Sequence, residues 1–374
     1  SPTRPRRSRV PLVLGVVGVL LAGGAFGGLQ VASNLSYDDS AALFDASGDA
    51  VSAALTEAGQ KSEAVTIATT AATQISNGDS SGLVPAESAA TLSAATTAAS
   101  TLVTDLAPEL EEAVPAADPK PGWFWELFGE AEALSAQATE LDARAAELEA
   151  SSADLVDAGA ALDDAAIAAL SGAAESAAGF ESAHISAKTL DVIALRDAAS
   201  ALASVSTLDD DAVSEFATLQ SAAAQVVASE QTELAEKAGP LLQTRLEIEA
   251  FARSLAPGVL LEFDWSPIVN GYGGSTGMGG LTTWWWDQGR AAIELSNSVA
   301  EQWPAESSRA LVAHEVGHAI SVKCEGMYDA STSESIESWA TAWAISMGFT
   351  DDGNGVWAYG YPPQSYIDAA YGCR

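Results

Sequence analysis

His314-Glu315-Val316-Gly317-His318 sets two of the chain's three histidines four residues apart around a glutamate. On a helix this spacing stacks both imidazoles on one face, where a single tetrahedral zinc ion can meet them. Glu315 then stands beside the ion's open position rather than on the ion, and its carboxylate can take a proton from water. The chemistry expected is metal-assisted hydrolysis, with His314 and His318 as ligands of Zn2+ and Glu315 as general base. The competing reading is a polar turn on a core helix, but histidine is so rare here that the pattern seldom arises by chance.

The residues around the motif predict the helix it needs. Pro304 and Ala305 precede a run from Glu306 to Ser321 in which Ala310, Leu311, Ala313, Val316, Gly317 and Ile320 form an apolar stripe, with Ser307 or Ser308 as a start. A catalytic zinc takes three protein ligands and one water, so a third donor is required. His184 lies in a distant low-complexity region and is a poor candidate. Glu334 and Glu337 lie on a second helical stretch, Ser331 to Ala344, three residues apart and on one face. One binds metal while the other caps the helix or stays in solvent.

Eighteen residues separate His318 from Glu337, and Glu337-Ser338-Trp339-Ala340 resembles the glutamate, any residue, aromatic, alanine pattern of gluzincin metallopeptidases, particularly their aminopeptidase-like branch. The resemblance covers only residues from about 260 to 374 and rests on two short motifs. It implies Glu337 as third ligand, a zincin-like fold and a peptide or protein substrate. Two departures stand out. No aspartate follows one turn after Glu337, where some gluzincins orient a histidine, and no later histidine serves the oxyanion. Thr341 is a candidate for the first role, and Tyr328, Tyr359, Tyr361, Tyr366 and Tyr371 for the second. The resemblance also implies that Arg290 to Ser296, which has strand character, forms a sheet edge for an extended peptide.

Gly271 to Gly280 carries six glycines without phosphate-loop spacing and predicts a mobile loop. Trp284, Trp285 and Trp286 follow in succession, so core packing with at least one ring outward is expected, the alternative being a substrate or membrane contact.

At the other end, Arg4, Arg6, Arg7 and Arg9 precede an uncharged apolar run from Val10 to Leu29, long enough to cross a bilayer at ~20 residues. A signal anchor over residues 10–32 is expected, with the basic flank 1–9 cytoplasmic and the remainder outside the membrane. The formal net charge of -35 excludes a nucleic-acid partner, whose phosphates such a surface would repel. Cys324 and Cys373, the only cysteines, are expected to pair in an oxidising compartment.

Residues 36–256 are dominated by alanine, serine, threonine, aspartate and glutamate. Alanine favours helix without adding bulk, which predicts an elongated bundle or stalk of antiparallel helices. Breaks at Asn77–Gly82, Val114–Gly122 and Ser206–Asp211 divide it into helices near 38–76, 86–113, 123–205, with an interruption around Gly172–Gly179, and 211–255. The turn before the third helix carries Trp123-Phe124-Trp125-Glu126-Leu127-Phe128, rings suited either to a bilayer interface or to a thin bundle core.

The fold class expected is mainly α: a transmembrane helix, an alanine-rich helical stalk over 36–256, and a small α+β zincin-like domain over 257–374. The function expected is a membrane-anchored extracytoplasmic zinc peptidase. Its alternative is an envelope scaffold whose stalk binds a protein partner and whose zinc domain is structural or inactive.

Overall fold

The computed structural model describes the main chain of residues 10–374 and the side chains of residues 24–374. The basic flank 1–9 lies outside the described residues, as do the side chains of 10–23, on which most of the expected anchor falls. Among the described residues no helix is long and apolar enough to cross a membrane. The chain is mainly helical with one small sheet, and it divides into two compact units. The first takes in the chain to Gly78, Pro85–Ala169 and Val205–Val213, and the second takes in Asp79–Val84, Leu170–Ser204 and Ser214–Arg374.

The first unit is built from α1 (Val10–Gly78), α2 (Ala86–Glu111) and the larger part of α3 (Phe124–Ala183). Its buried side chains recur every seven residues. In α1 they are Tyr37, Phe44, Val51, Ala58, Val65 and Ala72, in α2 Leu92, Ala99 and Leu106, and in α3 an unbroken ladder of leucines at 127, 134, 141, 148, 155 and 162. Seven residues are close to two helical turns, so each ladder keeps to one seam of its helix. Small residues between the rungs let the backbones approach, as where Gly159 faces a Val65 methyl.

The second unit continues with the end of α3, α4 (Thr189–Ala203), most of α5 (Asp210–Glu236) and α6 (Leu242–Leu255). Two helix breaks differ from the sequence expectation. The third helix runs through Gly172 and Gly179 and stops at His184, because each interior glycine costs only about 1 kcal/mol. Carboxylates from elsewhere hold the broken turn: Glu230 accepts from the Ser186 amide at 3.3 Å and Glu262 from the Thr189 amide at 3.0 Å. The expected helix 211–255 is interrupted after Glu236, where Gly239 takes φ 126° and Pro240 offers no amide hydrogen. Lys237 is buried there between Glu233 at 3.3 Å and Glu249 at 3.2 Å.

The sheet has strands β1 (Leu260–Ser266), β2 (Gly280–Trp285) and β3 (Arg290–Ser296) in the order β1-β3-β2, with β1 parallel and β2 antiparallel to β3. Arg290–Ser296 is therefore the central strand and not the expected edge. Its alternate side chains are buried and both its edges are paired, which leaves β2 as the outer strand on one side. The glycine-rich segment before β2 is held by a bridge between Val269 and Tyr272 and by the Asn270 side chain, which donates to the Gly280 carbonyl at 2.9 Å. None of the three consecutive tryptophans is fully exposed.

Beyond the sheet come α7 (Asn297–Glu301), α8 (Glu306–Ala319), α9 (Ser333–Ser346), α10 (Val356–Tyr359) and α11 (Gln364–Ala370). Phe263, Ile293 and Leu295 of the sheet share one core with Val312 and Val316 of α8 and Trp339 and Trp343 of α9. Cys324 and Cys373 are joined as a disulfide at the edge of that core.

The leucine ladder sets the first prediction. Leu148 is completely buried, and Leu148→Ala leaves a cavity in a thin seam where few neighbours can collapse into it. A loss of about 2–5 kcal/mol is expected in denaturant unfolding followed by circular dichroism.

Candidate metal centre

Helix α8 starts at Glu306, directly after Pro304 and Ala305, and buries nearly every residue from Val312 to Ala319. His314, Glu315 and His318 are each only 5% exposed, so a buried helix carries three ionisable groups on adjoining positions. Such groups need partners. The structure supplies them from α9, from β2 and from the turn at residues 352–355.

Glu337 of α9 turns its carboxylate to both imidazoles. Its Oε2 lies 3.1 Å from His314 Nε2 and 3.3 Å from His318 Nε2, and the two nitrogens are 3.2 Å apart. For ligands ~2.0–2.1 Å from a tetrahedral zinc, the spacing between ligand atoms is ~3.3 Å. The three atoms thus stand at close to the edge lengths of one face of a zinc tetrahedron. As a hydrogen-bonded triangle the arrangement is poor, because three atoms that can all accept share few protons. As a ligand set for a metal it fits. Glu334, three residues before Glu337, is exposed and takes no part. Thr332 caps α9 by accepting from the Ser335 amide.

The tautomer of His314 is set by the main chain. Its Nδ1–H donates to the carbonyl of Asn354 at 2.8 Å, which leaves the Nε2 lone pair for the cluster. Thr341, the sequence candidate for this role, lies farther from Nδ1 at 3.3 Å. The turn that brings the carbonyl is fixed by Asn354 itself, fully buried, whose side chain donates to the Phe349 carbonyl and accepts from the Val356 amide. Gly355 follows at φ 104°, and a Cβ there would stand 2.7 Å from His314 Nδ1. Among the described residues His318 Nδ1 is buried with no partner.

Flat rings hold both imidazoles. Trp284 stacks on His318 with centroids 5.8 Å apart, and Tyr359 stacks on His314 at 5.9 Å. Of the five candidate tyrosines, Tyr359 is the one brought to the cluster. Tyr328 stacks on Trp339, Tyr366 bonds to Ser335, and Tyr361 and Tyr371 are exposed. Partial burial, followed by the charges of Glu337 and Glu315, pushes the Tyr359 hydroxyl up to about 12, so it remains a proton donor. His184, the third histidine, is paired with Glu230 at 2.7 Å and stands apart from this centre.

Burial opposes ionisation of Glu337, yet the hydrogen bonds and charges of His314 and His318 outweigh it and hold the carboxyl well below its usual range. Burial likewise disfavours the His314 imidazolium, while the Glu337 hydrogen bond and the Glu315 and Glu337 charges raise its pKa. A proton and a metal ion therefore compete for the same nitrogens.

Glu315 does not join the triangle. Its Oε2 accepts from Thr282 Oγ1 of β2 at 2.7 Å, and the same hydroxyl lies 3.1 Å from the Glu315 carbonyl. Gly280 makes room for this carboxylate, since a Cβ there would come 2.6 Å from Glu315 Cδ. A cavity of about 380 Å3 opens beside Glu315 and His314, lined also by Tyr272, Met278, Leu311 and Trp357. Asn354, Gly355, Thr282 and Gly280 were not singled out as site residues by the sequence. Asp351 to Gly355 does carry an evident turn composition, and that was the one available signal.

Comparison with protein-family models, with curated proteins and with solved structures finds no match to the chain.

Two predictions follow from the triangle and from the approach of its two helices. The purified protein is expected to hold about one zinc, as a single three-ligand site would. Elemental analysis after dialysis should show it lost in His314→Ala, His318→Ala and Glu337→Ala and kept in Glu334→Ala. Loss in Glu334→Ala with retention in Glu337→Ala would move the third ligand to Glu334. Gly317, between the histidines, faces α9 so closely that a Cβ would stand 2.7 Å from the Ala340 carbonyl oxygen and 2.9 Å from its Cα. Gly317→Ala is thus expected to push α9 away and weaken zinc binding by about 10–100-fold in chelator competition, the range for disturbed ligand support.

Proposed function

We propose that the chain is a membrane-anchored, extracytoplasmic zinc peptidase of gluzincin type. The observation that carries this reading is the division of labour among three buried groups and one half-buried one. His314, His318 and Glu337 converge on one point, while Glu315 is held off it by Thr282 and faces a cavity. A purely structural metal site has no use for a carboxylate kept beside but outside the ligand set.

When bound, zinc supplies Lewis acidity, making water a nucleophile near neutral pH and polarising a carbonyl. Glu315 accepts the water proton and returns it to the amine nitrogen as the peptide C–N bond breaks. Thr282 holds one carboxylate oxygen, so the base keeps its aim. Tyr359 presents a hydroxyl that stays protonated and can donate to the charge developing on the carbonyl oxygen.

The peptide has a binding edge in β2. Ser296 donates to the Gly279 carbonyl, which marks that pair as hydrogen-bonded, and antiparallel alternation then turns the main-chain groups of Thr282 and Trp284 away from β3. An extended substrate pairing there runs past Glu315 and lays a side chain in the cavity lined by Met278, Leu311 and Trp357. That lining suits a bulky apolar residue beside the cleaved bond.

The address rests on separate features. The arginine flank and the uncharged run support an anchor with its N-terminus inside. The Cys324–Cys373 disulfide supports exposure of the C-terminal region to an oxidising compartment.

Glu315→Gln tests the mechanism, because it removes the proton acceptor and keeps the shape. It is expected to retain zinc and lower turnover of a peptide library by about 100-fold or more, while Tyr359→Phe lowers kcat by about 10–1000-fold with KM little changed. Undiminished hydrolysis by Glu315→Gln sinks the proposal.

A further inference from the structure

In the first unit, the chain carries no charged residue from Val10 to Tyr37. Where the described side chains of this stretch begin, Phe26, Leu29 and Val31 are 59%, 44% and 62% exposed. Beside them sits the turn between α2 and α3. Gln30 fastens it twice, accepting from the Phe124 amide at 3.0 Å and donating to the Gly122 carbonyl at 3.1 Å. Phe124 packs edge-on against Phe26 with centroids 5.5 Å apart. Trp123 and Trp125 stack on each other at 5.2 Å and are left 60% and 54% exposed, with Phe128 also exposed on the next turn.

The aromatic rings therefore do not fill the helical core. They stand out from it, at the level where the apolar run of α1 ends. Glu126 stands exposed within the band, in the first turn of α3, and along α1 the first charge is Asp38, which pairs with Lys120, itself 5.1 Å over the Tyr37 ring. Phe26 and Asp38 are separated along α1 by ~18 Å at 1.5 Å per residue. An apolar helix, a band of tryptophan and phenylalanine, and then charge is the order in which a bilayer's core, interface and aqueous phase are met. A protein partner would not require the band to be continuous with the uncharged run, whereas a lipid surface does.

We propose that Trp123, Trp125 and Phe128, pinned to α1 at Gln30, seat in the headgroup region of the membrane that the apolar run enters. They form a second, off-axis contact that fixes the depth and tilt of α1. This inference rests on the anchor reading, and the experiment separates the two.

The full chain is reconstituted into phosphatidylcholine vesicles with or without bromine on the acyl chains near the headgroups. Flotation reports anchoring, and quenching of tryptophan emission reports contact with lipid. The eight other tryptophans all lie between residues 265 and 357. The expected result is flotation with quenching in the wild type, and loss of that quenching in both Trp123→Ser/Trp125→Ser and the bulk-preserving Trp123→Phe/Trp125→Phe, with helix content unchanged. A chain that does not float overturns the anchor, and the aromatic contact with it. Flotation without quenching, or with quenching unchanged in both variants, overturns the aromatic contact alone. Unquenched wild type that cross-links as a dimer, lost in the serine variant, assigns the band to a second copy of the chain instead.

Discussion

The contact of α8 with α9 at Gly317 is the constraint on which the site depends. A glutamate side chain is short, and Glu337 reaches both histidines only because the two backbones meet where a methyl group would already collide with Ala340. The second variable position of the motif is thus occupied by the one residue that permits Glu337 to reach the histidines. Trp339 and Trp343, both fully buried, fasten α9 in that position by sharing a core with Val312 and Val316 of α8. Packing and cluster geometry are here one problem, since the shared core of sheet and helices fixes the distances among the three side-chain atoms.

Around this contact each ionisable group has a neighbour that limits what it can do. A main-chain carbonyl takes the Nδ1 proton of His314, an indole and a phenol cover the imidazole faces, and Thr282 holds Glu315. None of these partners is a charged side chain. Orientation is supplied by dipoles and flat apolar surfaces, and the net charge of the site is left to its two acids, Glu315 and Glu337, and to any ion the cluster holds. In a region of low dielectric this matters, because each further fixed charge would shift the balance between proton and metal at His314 and His318.

Much of the site could be seen in the sequence because its signal is local. Four residues of helix fix the geometry of His314 and His318, composition marks α8, and composition with the Thr332 cap marks α9. The orienting group could not be seen, since a carbonyl looks the same at every residue and only the fold brings Asn354 to His314. The choice among five tyrosines failed for the same reason. The sheet order was inferred from resemblance and went the other way: β3 is flanked on both sides, and strand pairing depends on partners far along the chain. In the helical region, the breaks at 77–82, 114–122 and 206–211 were legible, whereas the one at Gly239 and Pro240 went unread. The break held by distant carboxylates, at residues 184–188, was not legible either. The seven-residue spacing of leucines in α3 was present in plain sight among the alanines, yet its meaning rests on neighbours that the sequence does not name.

That spacing has a consequence for how such a chain can change in length. Adding or deleting one residue in α3 rotates everything beyond it by about 100° and turns the leucines out of their seam. Seven residues restore the phase almost completely, provided the facing helices change with it, and each such step alters the helix by ~10 Å. The helical unit is therefore quantised. Related chains should differ in its length by whole heptads, while the loops that join its helices remain free to drift residue by residue.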